Sequence, residues 1–237
     1  MNMTRLSLSV IALFELAPPV EVHIPFEVLR YGIVHVGERM PDGNPRWVGT
    51  GFVVDDRCMF LTAKHVLASV QDPERLVVRF QNPTLTSKVT TLNARVLHED
   101  PTVDLAFLII DKVGDAPCNS GSLHVFTIAS NVPSVRSVGA SVVVVGFPYL
   151  GGDVDIPVVR KGHLSSVEIS MSSGPPVLLL DLHGVPGFSG SPVLLEHTGE
   201  VIGVVYGPGP TDRSFGFEWA TPVTRNDYEV AKSKAGH

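Results

Sequence analysis

Three polar side chains, spread over most of the chain, are of the types that together carry out acyl transfer. Ser189 lies inside residues 187–192, which read Gly-Phe-Ser-Gly-Ser-Pro, His65 ends the run 62–65, Thr-Ala-Lys-His, and Asp104 lies between them in sequence. A serine hydroxyl becomes nucleophilic when an imidazole accepts its proton and a carboxylate orients that imidazole. The sequence therefore predicts Ser189 as the nucleophile, His65 as the general base and Asp104 as the acid that orients it.

The loop around the serine has the composition of an oxyanion-binding turn. Gly187 and Gly190 flank Ser189, which allows a tight backbone path, and Pro192 is placed to start a strand. We expect the backbone N–H groups of Gly187 and Ser189 to form the oxyanion hole. The nucleophile elbow of α/β-hydrolases is excluded because Ser191, and not a glycine, lies two residues after Ser189, and no helix is predicted to follow.

The sequence context of His65 or of Asp104, taken alone, indicates a catalytic role less specifically than the serine loop does. His65 follows a predicted strand, so a base there is rigidly held, although a capping or core histidine fits the same pattern. Asp104 heads the apolar run Asp104–Ile110, and its alternative role is that of a turn residue at a strand start. Asp100 is the rival carboxylate. We favour Asp104 because it adjoins the buried strand, whereas Asp100 lies in a polar turn.

The elements that must position these residues are predicted to be almost entirely strands. The chain has 237 residues, 44% hydrophobic, with Gly 22 and Pro 19, and from residue 27 it reads as short apolar segments separated by turns. We predict an all-β protein of two packed six-stranded antiparallel β-barrels with a short C-terminal helix. The predicted boundaries are an N-terminal segment 1–26, a first barrel 27–110, a linker 111–137, a second barrel 138–222 and a tail 223–237 that contains the helix.

Five of the predicted segments are specific enough to compare with the structure. Single strands are expected over Val28–Val36 and Val89–His98, two separate strands over Ile156–Val159 and Gly162–Ser170, and the helix over 226–234.

Composition excludes several other classes of function. The net charge of -6 gives no basic surface for nucleic acid, and no apolar run reaches the length of a membrane span. The apolar stretch Leu6–Phe14 is long enough for the core of a signal peptide, but Glu15 interrupts it and Pro18 follows Ala17. We therefore read it as a leading strand or docking segment and expect a cytoplasmic protein, with export as the alternative.

The cysteine count and the spacing of possible ligands argue against a disulfide framework and against a metal site. Cys58 and Cys118 are too few for a disulfide framework, so we expect two free, buried thiols in a reducing compartment, with a single bridge as the alternative. The chain has no Cys-x-x-Cys or His-Glu-x-x-His spacing, so no metal site is predicted.

Seven short motifs together resemble the trypsin-like, chymotrypsin-fold serine peptidases, in particular the bacterial Deg-type and glutamyl-endopeptidase-like members that have no structural disulfides. The similarity runs from about Val48 to Pro222. The motifs are Gly49–Phe52, Thr62–His65, Asp104–Ala106, Val145–Pro148, Lys161–Ser165, Gly187–Pro192 and Gly199–Gly203. The resemblance implies a double β-barrel, peptide-bond hydrolysis without a cofactor, and a triad of His65, Asp104 and Ser189.

Two departures from the family bear on activation. Val66 stands where animal members have a cysteine, and Phe188 stands where many have an aspartate that pairs with a freed N-terminus. Phe188 cannot form that ion pair, so we expect no activation by such a cleavage. The oxyanion loop must then be ordered by packing, by substrate or by a partner. Ser191 stands where a glycine is commoner in the family, but glutamyl endopeptidases also have the run Ser-Gly-Ser-Pro.

The resemblance also locates the primary substrate pocket. Its expected lining residues are His183, Val204, Val205, Tyr206 and Gly207. Glutamyl endopeptidases have a histidine in place of Val205, so a strict glutamate preference is not expected. No aspartate stands where trypsin's basic specificity needs one, so cleavage after Lys or Arg is not expected either. His183 either contributes to the pocket floor or hydrogen-bonds a loop carbonyl.

The function predicted from these residues is that of a serine endopeptidase acting on a polypeptide substrate through an acyl-enzyme. The alternative is a catalytically silent or partner-activated binding module on the same scaffold, in which an activating protein partner orders the loop.

Overall fold

A computed structural model of the chain describes residues 25–81, 89–110, 123–130, 136–149, 156–169, 174–207 and 216–235. The N-terminal segment with its apolar stretch, and most of the expected linker, lie outside these residues. None of the helices in the described ranges is long and apolar enough to span a bilayer.

The first half of the chain forms one antiparallel sheet of seven strands. The sheet order is β5-β4-β1-β2-β3-β7-β6. The elements are α1 (Phe26–Leu29), β1 (Ile33–Arg39), β2 (Pro45–Asp55), β3 (Met59–Thr62), α2 (Lys64–Ala68), β4 (Leu76–Gln81), β5 (Val89–Asn93), β6 (Arg95–Glu99) and β7 (Ala106–Ile109).

The two edges of this sheet come from one bent segment of chain. The segment predicted as a single strand over Val89–His98 is interrupted at Ala94, whose N–H donates to the Leu76 carbonyl. β5 pairs with β4 at one edge and β6 pairs with β7 at the other. Because consecutive residues form opposite edges, the sheet curls round on itself. Counted as one bent strand, this segment accounts for the difference between the expected six strands and the seven observed.

The second half forms a closed barrel of six strands in the order β10-β13-β12-β11-β8-β9. The strands are β8 (Ser141–Gly146), β9 (Val158–Ile169), β10 (Val177–Leu180), β11 (Pro192–Leu195), β12 (Val201–Gly207) and β13 (Glu218–Pro222), followed by the helix α3 (Arg225–Lys234). The all-β fold class with two packed barrel-like halves and a C-terminal helix is confirmed.

The two halves pack through apolar side chains of the second barrel. Val143, Val145, Leu194 and Val204 belong to the same buried cluster as the core of the first sheet, whereas their neighbours in sequence face the inside of the second barrel. Strand side chains alternate between faces, so a continuous run of valines supplies both surfaces. Residues 123–130 cross between the halves: Phe126 N–H donates to the Val53 carbonyl, and Ala129 N–H donates to the Val201 carbonyl.

Several local predictions are corrected. The strand expected over Val28–Val36 starts only at Ile33, because residues 26–32 turn helically from the Pro25 carbonyl, which accepts from the Val28 and Leu29 N–H groups. The two strands expected within 156–170 form a single strand, β9, long enough to pair with both β8 and β10. The domain boundaries stay predictions.

Of the two cysteines, Cys58 lies within the described residues. Cys58, in the turn before β3, is fully buried and is not a free thiol, which corrects the expectation for this residue. Cys118 lies outside the described residues, so the expectation for it stays a prediction.

The C-terminal helix is attached to the first sheet by one buried polar contact. The Tyr228 hydroxyl on α3 donates to Asp55 Oδ2 on β2 at 2.7 Å. Burial acts to raise the pKa of Asp55, but hydrogen bonds from Arg57 and Tyr228 outweigh it and hold that pKa well below its usual range. Burial and the same hydrogen bond raise the pKa of Tyr228 to about 12.

Replacing Tyr228 by phenylalanine tests this attachment. Tyr228→Phe leaves a buried carboxylate oxygen with one donor fewer, so we expect a loss of about 1–2 kcal/mol in the free energy of unfolding, measured by urea titration. Tyr149→Phe is the matched control because the Tyr149 side chain is exposed. Equal unfolding midpoints for Tyr228→Phe and the unmodified protein would contradict the assignment.

Candidate active site

His65 and Asp104 meet at the start of α2 and are joined by two hydrogen bonds. His65 Nδ1 lies 2.6 Å from Asp104 Oδ2, and the His65 backbone N–H donates to Asp104 Oδ1 at 2.8 Å. A carboxylate that accepts at Nδ1 places the proton there and leaves Nε2 as the basic nitrogen. The Asp104 side chain is 14% exposed and that of His65 is 38% exposed, so the imidazole reaches the surface while its partner is shielded.

The rival carboxylate has a local role. Asp100 Oδ1 accepts from the Thr102 N–H, the Thr102 hydroxyl and the Val103 N–H, so it closes its own turn. Its backbone carbonyl accepts from Lys64 Nζ at 2.7 Å. The choice of Asp104 over Asp100 as the partner of His65 therefore agrees with the hydrogen bonds.

Ser189 lies on the facing half, across the end of β12. A Cβ atom built on Gly207 would lie 3.3 Å from Ser189 Oγ, and the ring of Tyr206, the preceding residue, is 5.2 Å from the His65 ring. The Ser189 carbonyl accepts from the Thr50 N–H at 2.9 Å, which ties the loop to β2 of the first sheet. The hydroxyl and the imidazole thus flank the same strand end, between the two halves.

The carbonyl groups around Ser189 accept hydrogen bonds, whereas two N–H groups of the loop have no acceptor among the described residues. Gly187 and Gly190 both have positive φ, at 94° and 87°, where a side chain is strained. The Pro186 carbonyl accepts from the Tyr149 N–H at 2.7 Å, and the Gly187 carbonyl accepts from the Thr50 hydroxyl at 2.8 Å. Within the described part of the chain, the Gly187 and Ser189 N–H groups have no hydrogen-bond acceptor.

Thr50 is a residue of the site that the sequence analysis missed. It is fully buried, and its hydroxyl also accepts from the Phe147 N–H at 3.1 Å while it donates to the Gly187 carbonyl. Its own carbonyl accepts from the Thr62 hydroxyl at 2.7 Å. The sequence feature that could have identified Thr50 is its position between Gly49 and Gly51 in a predicted strand, because glycines there allow another backbone segment to approach closely.

Phe188 is ordered by packing. Its side chain is 4% exposed and lies in the apolar cluster of the second barrel. The sequence analysis expected packing, substrate or a partner to order the oxyanion loop, and the contacts of Phe188 correspond to packing. Ser191 is fully buried, and its Oγ has no hydrogen-bond partner among the described residues. This Oγ lies so close to Gly146 that a side chain at 146 would collide with it.

The five expected pocket residues divide into two groups. Val204 and Val205 are fully buried in the cores, so their side chains do not line an open pocket. Tyr206 is 39% exposed and Gly207 borders Ser189 Oγ. His183 is exposed, and it is its backbone carbonyl that makes a hydrogen bond, accepting from Arg160.

Glu218, at the start of β13, is a buried carboxylate that the sequence analysis did not single out. It is 4% exposed, and its Oε1 has no hydrogen-bond partner in the part of the chain that the structure describes. Burial raises the pKa of Glu218 to about 7, although the charge of Arg160 and a hydrogen bond from the Gly207 N–H act to lower it. The signal was a charged residue between Phe217 and Trp219, in a segment otherwise apolar.

Comparison with known proteins assigns the family. Residues 49–204, about two thirds of the chain, match the trypsin-like peptidase domain, and the chain belongs to that family. The fold is similar to the crystal structure of the MamO protease domain from Magnetospirillum magneticum in its apo form, with a TM-score of 0.65, 18% sequence identity, and coverage of 88% of this chain and 98% of that chain. Comparison with curated protein sequences gives no match.

The ionisation of Glu218 predicts how stability depends on pH. Its folded pKa of about 7 lies above the ordinary value of 4.5, so between these pH values the folded protein retains a proton that the unfolded chain has released. Stability therefore falls as pH rises through this window, by roughly 3 kcal/mol. We expect this loss in urea unfolding of the unmodified protein between pH 5 and pH 8. In Glu218→Gln, which has no ionisable group at this position, the free energy of unfolding should not show this loss between pH 5 and pH 8. An identical pH dependence of the free energy of unfolding in both proteins would refute the assignment.

Proposed function

We propose that the protein is a serine endopeptidase that cleaves polypeptides through an acyl-enzyme. The observation that carries the proposal is that the His65 imidazole, hydrogen-bonded to Asp104, and the Ser189 hydroxyl lie at the same end of β12. The Gly187 and Ser189 N–H groups have no acceptor among the described residues. Donors already aimed at the place where negative charge develops are the largest single contribution to this chemistry, because they need no reorganisation during the reaction.

Each of these residues has one role in the proposed reaction. Ser189 Oγ attacks the scissile carbonyl carbon while His65 Nε2 takes the hydroxyl proton, and Asp104 stabilises the resulting imidazolium. The carbonyl oxygen becomes an oxyanion that accepts hydrogen bonds from the Gly187 and Ser189 N–H groups. The imidazolium then gives its proton to the leaving amine as the C–N bond breaks. Water attacks the ester by the same steps in reverse and frees the acid.

The arrangement of carbonyl groups favours this proposal over a catalytically silent binding module. A collapsed oxyanion hole is one in which a loop carbonyl turns inward and takes the place of the oxyanion. Here the carbonyls of Pro186 and Gly187 accept hydrogen bonds from Tyr149 and Thr50 instead. Packing of Phe188 supports the loop without a partner, so activation by another protein is not required by the proposal.

Covalent labelling tests the nucleophile. A fluorophosphonate probe should modify the unmodified protein at Ser189, because an activated serine attacks phosphorus with loss of fluoride. Ser189→Ala should abolish the labelling and His65→Ala should slow it by at least about 100-fold. Ser191→Ala is the control, since this serine is buried two residues away and has no base beside it. Labelling that persists in Ser189→Ala would disprove the role of Ser189.

Substitution of Thr50 tests the support of the oxyanion loop. Thr50→Val preserves shape but removes the hydroxyl that holds the Gly187 carbonyl, so we expect kcat for a peptide substrate to fall by about 10- to 100-fold with little change in KM. Thr221→Val is the control because Thr221 is also a buried threonine, on β13 of the second barrel, and no hydrogen bond joins its hydroxyl to residues 187–190. An unchanged kcat in a folded Thr50→Val protein would show that the hydroxyl does not support the loop.

A further inference from the structure

The short helix α2, which carries His65, is held by contacts at both ends and in the middle. At its start, Asp104 accepts a hydrogen bond from the His65 backbone N–H. In its middle, the buried Val66 side chain packs so closely on Gly49 that a Cβ atom on Gly49 would lie 2.8 Å from either methyl group. A helix of five residues has little stability of its own, so its orientation depends on such contacts.

The contact at the other end of α2 is made by a buried carboxylate, Glu38 on β1, which is 2% exposed. Its Oε2 accepts from the Gln71 and Asp72 N–H groups at 2.8 and 3.1 Å, in the turn that follows the helix. Its Oε1 accepts from the guanidinium of Arg46, the residue opposite it on β2. Both oxygens of the carboxylate therefore have donors, as a buried charge requires.

Arg46 extends this contact to the last turn of α2. Its Nη2 donates to the Ser69 carbonyl at 2.7 Å, and the Ser69 hydroxyl donates to the His65 carbonyl at 3.3 Å. The Ser69 N–H donates to the Val66 carbonyl and so ends the helix. Ser69 lies about one helical turn after His65. The pair of Glu38 and Arg46 is thus joined to the backbone of the histidine through a single residue.

Stability of the sheet does not by itself account for a charged pair at this place. An ion pair with a buried member can often be replaced by apolar side chains without loss of stability. Apolar side chains could fill the same space between β1 and β2, but they could not bind the backbone of residues 69–72. Burial acts to raise the pKa of Glu38, but hydrogen bonds from Arg46 and from the Asp72 and Gln71 N–H groups outweigh it and hold that pKa below its ordinary value.

We propose that Glu38 is a positioning residue, which fixes the end of α2 through Arg46 and residues 69–72 and thereby directs the His65 ring toward Ser189. The proposal rests on the proposed endopeptidase function and adds a residue to its machinery. Glu38 touches neither the substrate nor the reacting atoms in this role. A displacement of a reacting group by about 1 Å costs up to about 100-fold in rate, so a small change in the tilt of α2 is enough to slow the reaction.

Replacing the pair by apolar side chains separates positioning from stability. The double variant Glu38→Met with Arg46→Met keeps a contact between the two strands but cannot bind residues 69–72. We expect kcat for a peptide substrate to fall by about 10- to 100-fold with little change in KM, and the rate of fluorophosphonate labelling of Ser189 to fall by a similar factor. Tyr228→Phe, which weakens a contact of α3, is the control and should keep both rates. All rates are measured where urea titration shows each protein to be folded.

Amide hydrogen exchange tests the same contact without catalysis and without the double replacement. Glu38→Gln keeps the size of the side chain, but an amide has one acceptor oxygen, which cannot serve both Arg46 and the turn after α2. We expect the Ser69 and Val70 N–H groups, which close the end of the helix, to exchange at least about 10-fold faster than in the unmodified protein. Glu229→Gln, an exposed glutamate on α3, is the matched control and should leave their exchange unchanged.

The two proposals fail in different ways. An unchanged kcat and labelling rate in the folded double variant, or unchanged exchange of Ser69 and Val70 in Glu38→Gln, would overturn the role of Glu38 and leave the peptidase proposal standing. A loss of rate in Tyr228→Phe as large as in the double variant would also overturn it, because the effect would then be one of stability. An unmodified protein that neither reacts with the probe nor cleaves any peptide would overturn the peptidase proposal, whereas faster exchange in Glu38→Gln would still support the anchoring of α2 by Glu38.

Discussion

The whole site depends on the buried hydrogen bonds of Thr50. Its N–H binds the Ser189 carbonyl, and its hydroxyl binds the Gly187 carbonyl and the Phe147 N–H. Thr50 belongs to β2 of the first sheet, and its three partners belong to the second half. In a fully buried position each bond is costly to leave unmade, so the two halves are held in one relative arrangement. That arrangement brings the serine loop to the sheet that carries His65 and Asp104.

The loop around Ser189 is held by apolar packing of Phe188. In relatives with an aspartate before the serine, an ion pair holds this loop. Phe188 inserts into the cluster of the second barrel, and its neighbours Gly187 and Gly190 take backbone conformations that residues with side chains adopt rarely. The loop can therefore present its N–H groups to the cleft without a freed N-terminus.

Glu218 shows how a site tolerates a locally unfavourable residue. The Glu218 carboxylate, whose Oε1 has no hydrogen-bond partner among the described residues, lowers stability once it is ionised in an apolar barrel. Groups with strongly shifted pKa values are concentrated at functional sites. Glu218 lies beside Gly184 and accepts a hydrogen bond from the N–H of Gly207, the glycine that borders Ser189 Oγ.

The sequence by itself determined the all-β class, the C-terminal helix and the identities of His65, Asp104 and Ser189 as candidates, because strand alternation, glycine-framed loops and residue chemistry are local properties. It also favoured Asp104 over Asp100 from the apolar strand that follows. Only the tertiary structure decided that Val204 and Val205 face the cores, that Ala94 bends one strand to form both edges of a sheet, and that Thr50 and Glu218 belong to the site. These facts depend on which residues from distant stretches come within hydrogen-bond distance, and the order of residues along a chain does not specify such distances.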